Sequence, residues 1–173
     1  GRIENALVAL KEALLSQPEN PRLYRLLAET YQAGKREPDA INTAREALKL
    51  SPDGLEMLEW YANFMAQLGQ LQEAIQALRT ATQLAPEGAV YWIGLAEMSL
   101  RQDDRVAAQT SLQTALSLPQ LVLGHLRRIA RAYLVLGQPE AALASLLRAE
   151  NAEKGADAEL WVELAYLYQL NRQ

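Results

Sequence analysis

Arg127, Arg128 and Arg131 stand three and four residues apart around Arg131, a spacing that sets all three on one face of a helix. A guanidinium is a rigid fork of donors that grips a carboxylate or phosphate through two parallel hydrogen bonds, so this face is a candidate for holding an anion. His125 is the only histidine. That excludes multi-His metal sites and the two-His zinc motif. No local nucleophile motif accompanies His125 for a triad, and it reads as a partly packed helix residue. Gly34 and Lys35 lack the upstream glycine and the following Ser or Thr of a phosphate-binding loop. With no cysteine there is no disulfide framework, thiolate metal site or thiol nucleophile. The sequence therefore predicts no enzyme, no metal and no cofactor, and leaves a binding surface as the alternative.

The elements that must carry such a surface are written in the spacing of small residues. Ala13, Ala47, Ala81, Ala115 and Ala149 follow one another at 34 positions, as do Ala6, Ala40, Ala74, Ala108 and Ala142. A fixed period of this length is the mark of stacked repeats. Within one period, Tyr24, Leu27, Ala28 and Tyr31 fall at i, i+3, i+4 and i+7, one apolar helical face, and Leu58, Tyr61, Ala62 and Met65 answer in the next. This is helix A. Helix B carries Ala40, Ala44 and Ala47 on one face. Pro38 and Pro139 sit near the start of B helices, where a missing N–H costs nothing. Pro18, Pro52 and Pro86 end the B helices by biasing the preceding residue out of the α region. Gly54, Gly69, Gly88 and Gly137 are expected to supply turn conformations. Two antiparallel helices joined by a short turn approach closely only where neither has bulk, so Ala28 should meet Ala40, and Ala62 should meet Ala74.

Composition agrees. Half of the 173 residues are hydrophobic, mostly Ala and Leu, and both are strong helix formers. The net charge of −4 disfavours a general nucleic-acid or anionic-membrane binder and points to protein partners. No apolar run is long enough to cross a bilayer, so no direct membrane insertion is expected.

At this point the residues resemble the tetratricopeptide repeat family. Its 34-residue pattern is matched by Tyr24, Leu27, Ala28, Tyr31, Ala40, Ala44, Ala47 and Pro52, then by Leu58, Tyr61, Ala62, Met65, Gly69, Ala74, Leu78, Ala81 and Pro86. Gly34 and Pro119 fall one place early, Ser99 replaces the usual Tyr, Lys154 stands near the place of Pro, and one extra residue precedes the last helix. The resemblance implies an all-α, right-handed superhelical solenoid of antiparallel helix pairs, about ten helices forming a single array over 1–173. The register gives a lone B helix at 3–17, full repeats at 21–54, 55–88, 89–122 and 123–157, and a lone A helix at 158–171. Because this register begins and ends mid-repeat, the chain is expected to be a piece of a longer array.

In this family the A helices line a concave groove, which would carry a protein or peptide partner without catalysis. The groove-side positions include Arg22, Arg25 and Glu29, then Glu56, Glu59, Trp60, Asn63 and Gln67, then Val90, Ile93, Gly94, Glu97 and Arg101. Arg127, Arg128, Arg131 and Leu134 follow, and Glu159, Glu163, Tyr166 and Gln169 complete the set. The clamp that some relatives use for acidic chaperone tails is not supported, because Glu29 and Trp60 stand where Asn is needed. Candidate contacts are Glu59, Trp60, Asn63, Arg127, Arg128, Arg131 and Tyr166. Two alternatives stay open: Trp60 packing on a neighbouring helix, and the arginines pairing with Glu97 and Glu163 on adjacent A helices. A second function is a structural spacer or assembly module, as similar arrays are in bacterial export and envelope machines, which would place it in a bacterial cytoplasm or periplasm. Self-association through terminal helices is expected from apolar faces at Leu7, Leu10 and Leu14 and at Leu160, Leu164 and Leu167. Capture of RNA or a phosphate ligand by the arginine face is the least favoured reading, given the net acidity.

Overall fold

The computed structural model describes residues 1–152 and 158–171. Among these residues there are ten α-helices and no strand. The A helices are α2 (Pro21–Ala33), α4 (Leu55–Gln67), α6 (Ala89–Arg101), α8 (Leu123–Val135) and α10 (Ala158–Leu170). The B helices are α1 (Arg2–Ser16), α3 (Glu37–Leu50), α5 (Leu71–Leu84), α7 (Arg105–Ser117) and α9 (Pro139–Ala152). From Pro21 to Leu123 every A helix starts 34 residues after the last. Lys154, the repeat boundary at 157 and the extra residue before the last helix lie outside the described residues, as does the burial of Ala149.

Pro38 and Pro139 stand in the first turns of α3 and α9, and α1, α3 and α5 end two residues before Pro18, Pro52 and Pro86, as expected; caps not expected from the sequence add to them. Pro21 opens α2, with the Asn20 side chain accepting from the Arg22 N–H at 3.0 Å, and Asp104 accepts from the Ala107 N–H at 3.0 Å to cap α7. Between A and B of each pair, the chain turns through a left-handed residue. These are Lys35 (φ 58°), Gly69 (φ 76°), Asp103 (φ 60°) and Gly137 (φ 71°), again 34 apart. Gly69 and Gly137 meet the expectation. Gly54 and Gly88 do not, since both are ordinary N-cap residues with φ of −74° and −76°. Close approach is their reason instead: a Cβ there would lie 2.3 Å from Ser51 Oγ and 2.5 Å from Tyr91 Cδ2 respectively.

The chain divides into two compact units, Gly1–Leu84 with α1 to α5, and Ala85–Gln173 with α6 to α10. Within each, A packs on its following B most densely, and the small columns are sealed. Ala28, Ala40, Ala44 and Ala47 are fully buried, as are Ala74, Ala96, Ala108, Ala115 and Ala142. The second unit has a continuous core running from Ile93 through Leu112, Leu126, Ile129 and Leu146 to Leu160 and Leu164.

Two expectations are corrected here. Ile93 and Gly94, assigned to the groove side, are buried, Ile93 completely. The reason is that α6 is apolar on nearly every side and packs against α8 along that face. The apolar ends also differ. Leu160, Leu164 and Leu167 fall at i, i+4 and i+7 and form the inner stripe by which α10 joins the core, with 0 to 2% exposure. Leu7 is buried as well, while Leu10 and Leu14 are half-buried. The exposed apolar side chains of α10 are Trp161, Val162, Tyr166 and Tyr168.

Candidate functional site

The groove-side residues form two separate clusters, one in each unit. In the first unit, α2 and α4 place Arg25, Glu29, Glu56 and Trp60 together. Trp60 Nε1 donates to Glu29 Oε1 at 2.7 Å, and Arg25 Nε donates to the same oxygen at 3.1 Å. The Arg25 guanidinium also lies 5.4 Å from the Trp60 ring centroid, within cation–π range, and reaches Glu56 Oε1 at 3.4 Å. Phe64 stacks on the indole at 5.0 Å. Trp60 is therefore half-buried, tied to α2 through its N–H and its ring, and stacked on Phe64 of its own helix. Asn63 is exposed on the same helix and Glu59 is half-buried.

Beneath the other side of α4, Tyr61 donates to Glu73 Oε2 at 2.5 Å, while Arg45 holds the same carboxylate through Nε at 3.1 Å and Nη2 at 2.7 Å. The Arg45 hydrogen bonds, with the Tyr61 hydroxyl adding to them, hold the Glu73 carboxyl below its usual range against the opposing effect of burial. Burial, then Glu73, pushes the Tyr61 hydroxyl well above the ordinary tyrosine range. This trio joins α3, α4 and α5 and is a structural brace.

In the second unit the arginine face is laced to carboxylates. Arg128 grips Glu97 as a fork, Nε at 2.8 Å and Nη2 at 2.7 Å, linking α8 to α6. Arg127 Nε donates to Glu163 at 2.8 Å and its Nη2 lies 3.7 Å from Glu159, linking α8 to α10. The pairing alternative raised by the sequence is thus present for Arg127 and Arg128. Arg131 differs. Its nearest carboxylate oxygen among the described residues is 3.9 Å away, on Glu163, and its side chain is 73% exposed. Two clefts flank it: one of about 430 Å³, where Met98, Leu100, Ala132 and Val135 form the apolar wall and Glu97, Arg101 and Arg128 the charged edge, and one of about 190 Å³, where Leu134, Leu146, Tyr166 and Leu167 stand beside Arg127 and Glu163. Tyr166 is 56% exposed. The arrangement places Arg131, loosely held, between two recesses with apolar walls, a geometry suited to an acidic group flanked by apolar side chains.

His125, on the same helix, has Nδ1 buried without a partner among the described residues. Burial first, and the Arg128 charge second, hold its imidazole below the ordinary histidine range. Among the described residues, no group of three or more His, Cys, Asp or Glu is placed to hold a metal ion, and no helix is long and apolar enough to cross a membrane. Sequence reasoning brought Arg127, Arg128, Arg131 and Tyr166 to one surface. It missed the apolar recesses, because Val135 and Met98 lie outside the positions it considered.

Two models described as tetratricopeptide repeat match the chain, at residues 38–89 and 1–56, so that together they span 1–89 of its 173 residues. A search of curated proteins finds no match. Among solved structures, the chain is similar to a thermophilic tetratricopeptide repeat protein of Thermus thermophilus, at 23% identity and TM-score 0.66, covering 98% of this chain and 92% of that one. PilW, a widely conserved type IV pilus biogenesis factor, is similar at 21% identity and TM-score 0.68, covering 96% of this chain and 79% of that one. YrrB, a repeat protein with an unusual peptide-binding site, is similar at 15% identity and TM-score 0.65, covering 95% of this chain and 84% of that one. At these identities the likeness is one of fold.

Proposed function

This chain belongs to the tetratricopeptide repeat family, and on that premise we propose that it is a non-catalytic scaffold that holds a protein partner on the groove side of its A helices. The observation that carries this reading is Arg131, a cation with no described carboxylate closer than 3.9 Å, between two apolar recesses. Arg127 and Arg128 serve the site by position: bound to Glu163 and Glu97, they fix α6, α8 and α10 and hold the recesses open between them. Tyr166 supplies an exposed aromatic wall. In the first unit Trp60 is taken up by Glu29, Arg25 and Phe64, so of Glu59, Trp60 and Asn63 only Asn63 is left as an exposed hydrogen-bonding group. A rigid face of this kind lowers the ordering cost of association on the scaffold side, which leaves affinity to the few side chains that stay available.

The partner chemistry that fits is an extended segment with an acidic side chain beside aliphatic or aromatic ones. A random-peptide display selection on the immobilised chain tests it. Enriched peptides are expected to carry Asp or Glu next to an apolar residue, and to lose their enrichment on a chain with Arg131→Ala and Tyr166→Ala. Equal enrichment on both chains removes the reading.

A further inference from the structure

We infer that the cleft between α3, α4 and α5 is a socket for an arginine side chain of a partner protein, on the B-helix side of the first unit and independent of the Arg131 site. The cleft has a volume of about 390 Å³. Leu48, Pro52 and Ala77 give it apolar walls, and Asp53, Glu73 and Thr80 stand beside them. None of these is a groove-side position. What fills such a place is visible in the second unit, two periods later. There Arg148 reaches from α9 to the end of α7, where its Nη1 donates to Leu116 O and its Nη2 to Leu118 O at 3.0 Å. A guanidinium suits that place, because the last carbonyls of a helix lack intrahelical donors and carry the negative end of its dipole.

The first unit has the same carbonyls without the arginine. Two periods before Leu116, Leu118 and Arg148 stand Leu48, Leu50 and Thr80. Thr80 is too short to cross to α3, and its hydroxyl donates to Gln76 O of its own helix at 3.2 Å. Pro52 has no N–H to complete the helical bond to Leu48 O, which keeps the Ser51 N–H at 3.1 Å, and no donor among the described residues reaches Leu50 O. Lys49, in the last turn of α3, is drawn to Glu46 at 2.7 Å instead. The charge at the cleft complements a cation. Glu73 is taken by Arg45 and Tyr61, whereas the Asp53 carboxylate is exposed and has no partner among the described residues. Two periods on, Leu121 and Ala141 replace these two acids, so the second unit has no such charge in those places. An arginine entering from outside lays its methylenes along Leu48, Pro52 and Ala77 and brings its fork to the Leu48 and Leu50 carbonyls and to Asp53.

NMR titration of the isotope-labelled full chain with Nα-acetyl-arginine methylamide, to about 50 mM, tests this. Saturable shifts are expected at the amides of Ser51, Asp53, Ala77 and Thr80. The citrulline analogue keeps the shape without the charge, and the lysine analogue keeps the charge without the fork. Each is expected to bind at least about fivefold more weakly than the arginine probe. Thr80→Arg supplies a guanidinium from α5, as Arg148 does from α9, and is expected to abolish the shifts while circular dichroism shows its helices kept. Asp53→Asn, at an exposed position outside the helices, is expected to weaken the probe about threefold without risk to the fold. A random-peptide selection on the wild type, after removal of peptides that also bind Thr80→Arg, is expected to enrich arginine, which assigns the side chain to a protein partner. Absence of saturable shifts overturns the proposal. Equal binding of the lysine or citrulline analogue, shifts unchanged in Asp53→Asn or in a folded Thr80→Arg chain, or a selection without arginine overturns it as well.

Discussion

The A-helix faces of the two units are built on the same repeat positions and end in opposite states. Trp60 and Arg128 are equivalent residues, 68 apart, or two periods. In the first unit the large aromatic is consumed internally: Glu29 takes its N–H, Phe64 its face and Arg25 its other side. In the second, Arg128 and Arg127 are consumed by Glu97 and Glu163, and the third arginine is left over at 73% exposure. A binding face is therefore defined less by which residues point outward than by what remains after neighbouring helices have paired with each other.

The largest effect is expected where the second face is anchored. Leu164 is 2% exposed and seats α10, the helix that carries Glu163. Leu164→Ala should cost about 2–5 kcal/mol in chemical denaturation. A cost near zero would mean that α10 contributes nothing to the stability of the second unit, and the contrast would collapse. In the first unit, Glu29→Ala strips the acceptor from both Trp60 and Arg25. The carboxylate is 40% exposed, so the cost is expected at only about 1 kcal/mol. Tryptophan emission should move to the red as the indole is released, and unchanged emission would show that Glu29 does not hold it.

A smaller effect in the opposite direction is expected at Lys35. It occupies a left-handed conformation that Gly takes in two of the three equivalent turns. Lys35→Gly should stabilise the protein by roughly 0.5–1 kcal/mol, the relieved backbone strain outweighing the extra freedom of the unfolded chain. Acid should separate the units by pH and not by size. His125 has its folded pKa below the unfolded 6.5, so its unfolded form binds a proton first. Its stability contribution is complete above that value and falls as pH drops through the folded pKa. Glu73 behaves the same way from 4.5 downward. The second unit should thus begin to weaken at higher pH than the first, and His125→Asn should remove that early loss. A stability profile identical in the wild type and His125→Asn would contradict it.

Much of this was legible in the sequence, and the reasons for the rest are physical. Steric exclusion writes alanine into a fixed column wherever two helices touch, so the repeat, the pairing of helices and the burial of Ala40, Ala74 and Ala108 could be read directly. The left-handed turns were readable at Gly69 and Gly137 and invisible at Lys35 and Asp103, because the turn imposes its conformation on whatever residue stands there. Helix spacing placed the three arginines on one face without showing which would be spared, since that depends on carboxylates that reach across from α6 and α10. The stripe of α10 was misplaced for a related reason. With leucines and aromatics on several sides of one helix, periodicity alone does not choose between Leu160, Leu164 and Leu167 and the Trp161, Tyr168 side.

The most direct test of the comparison is calorimetric titration of a display-selected peptide into the wild-type chain, Arg131→Ala and Trp60→Ala. If internal pairing decides which face is available, Arg131→Ala weakens binding by roughly tenfold or more, about 1.4 kcal/mol, and Trp60→Ala changes it by less than about threefold. Loss of binding with Trp60→Ala while Arg131→Ala binds as the wild type does would contradict the account.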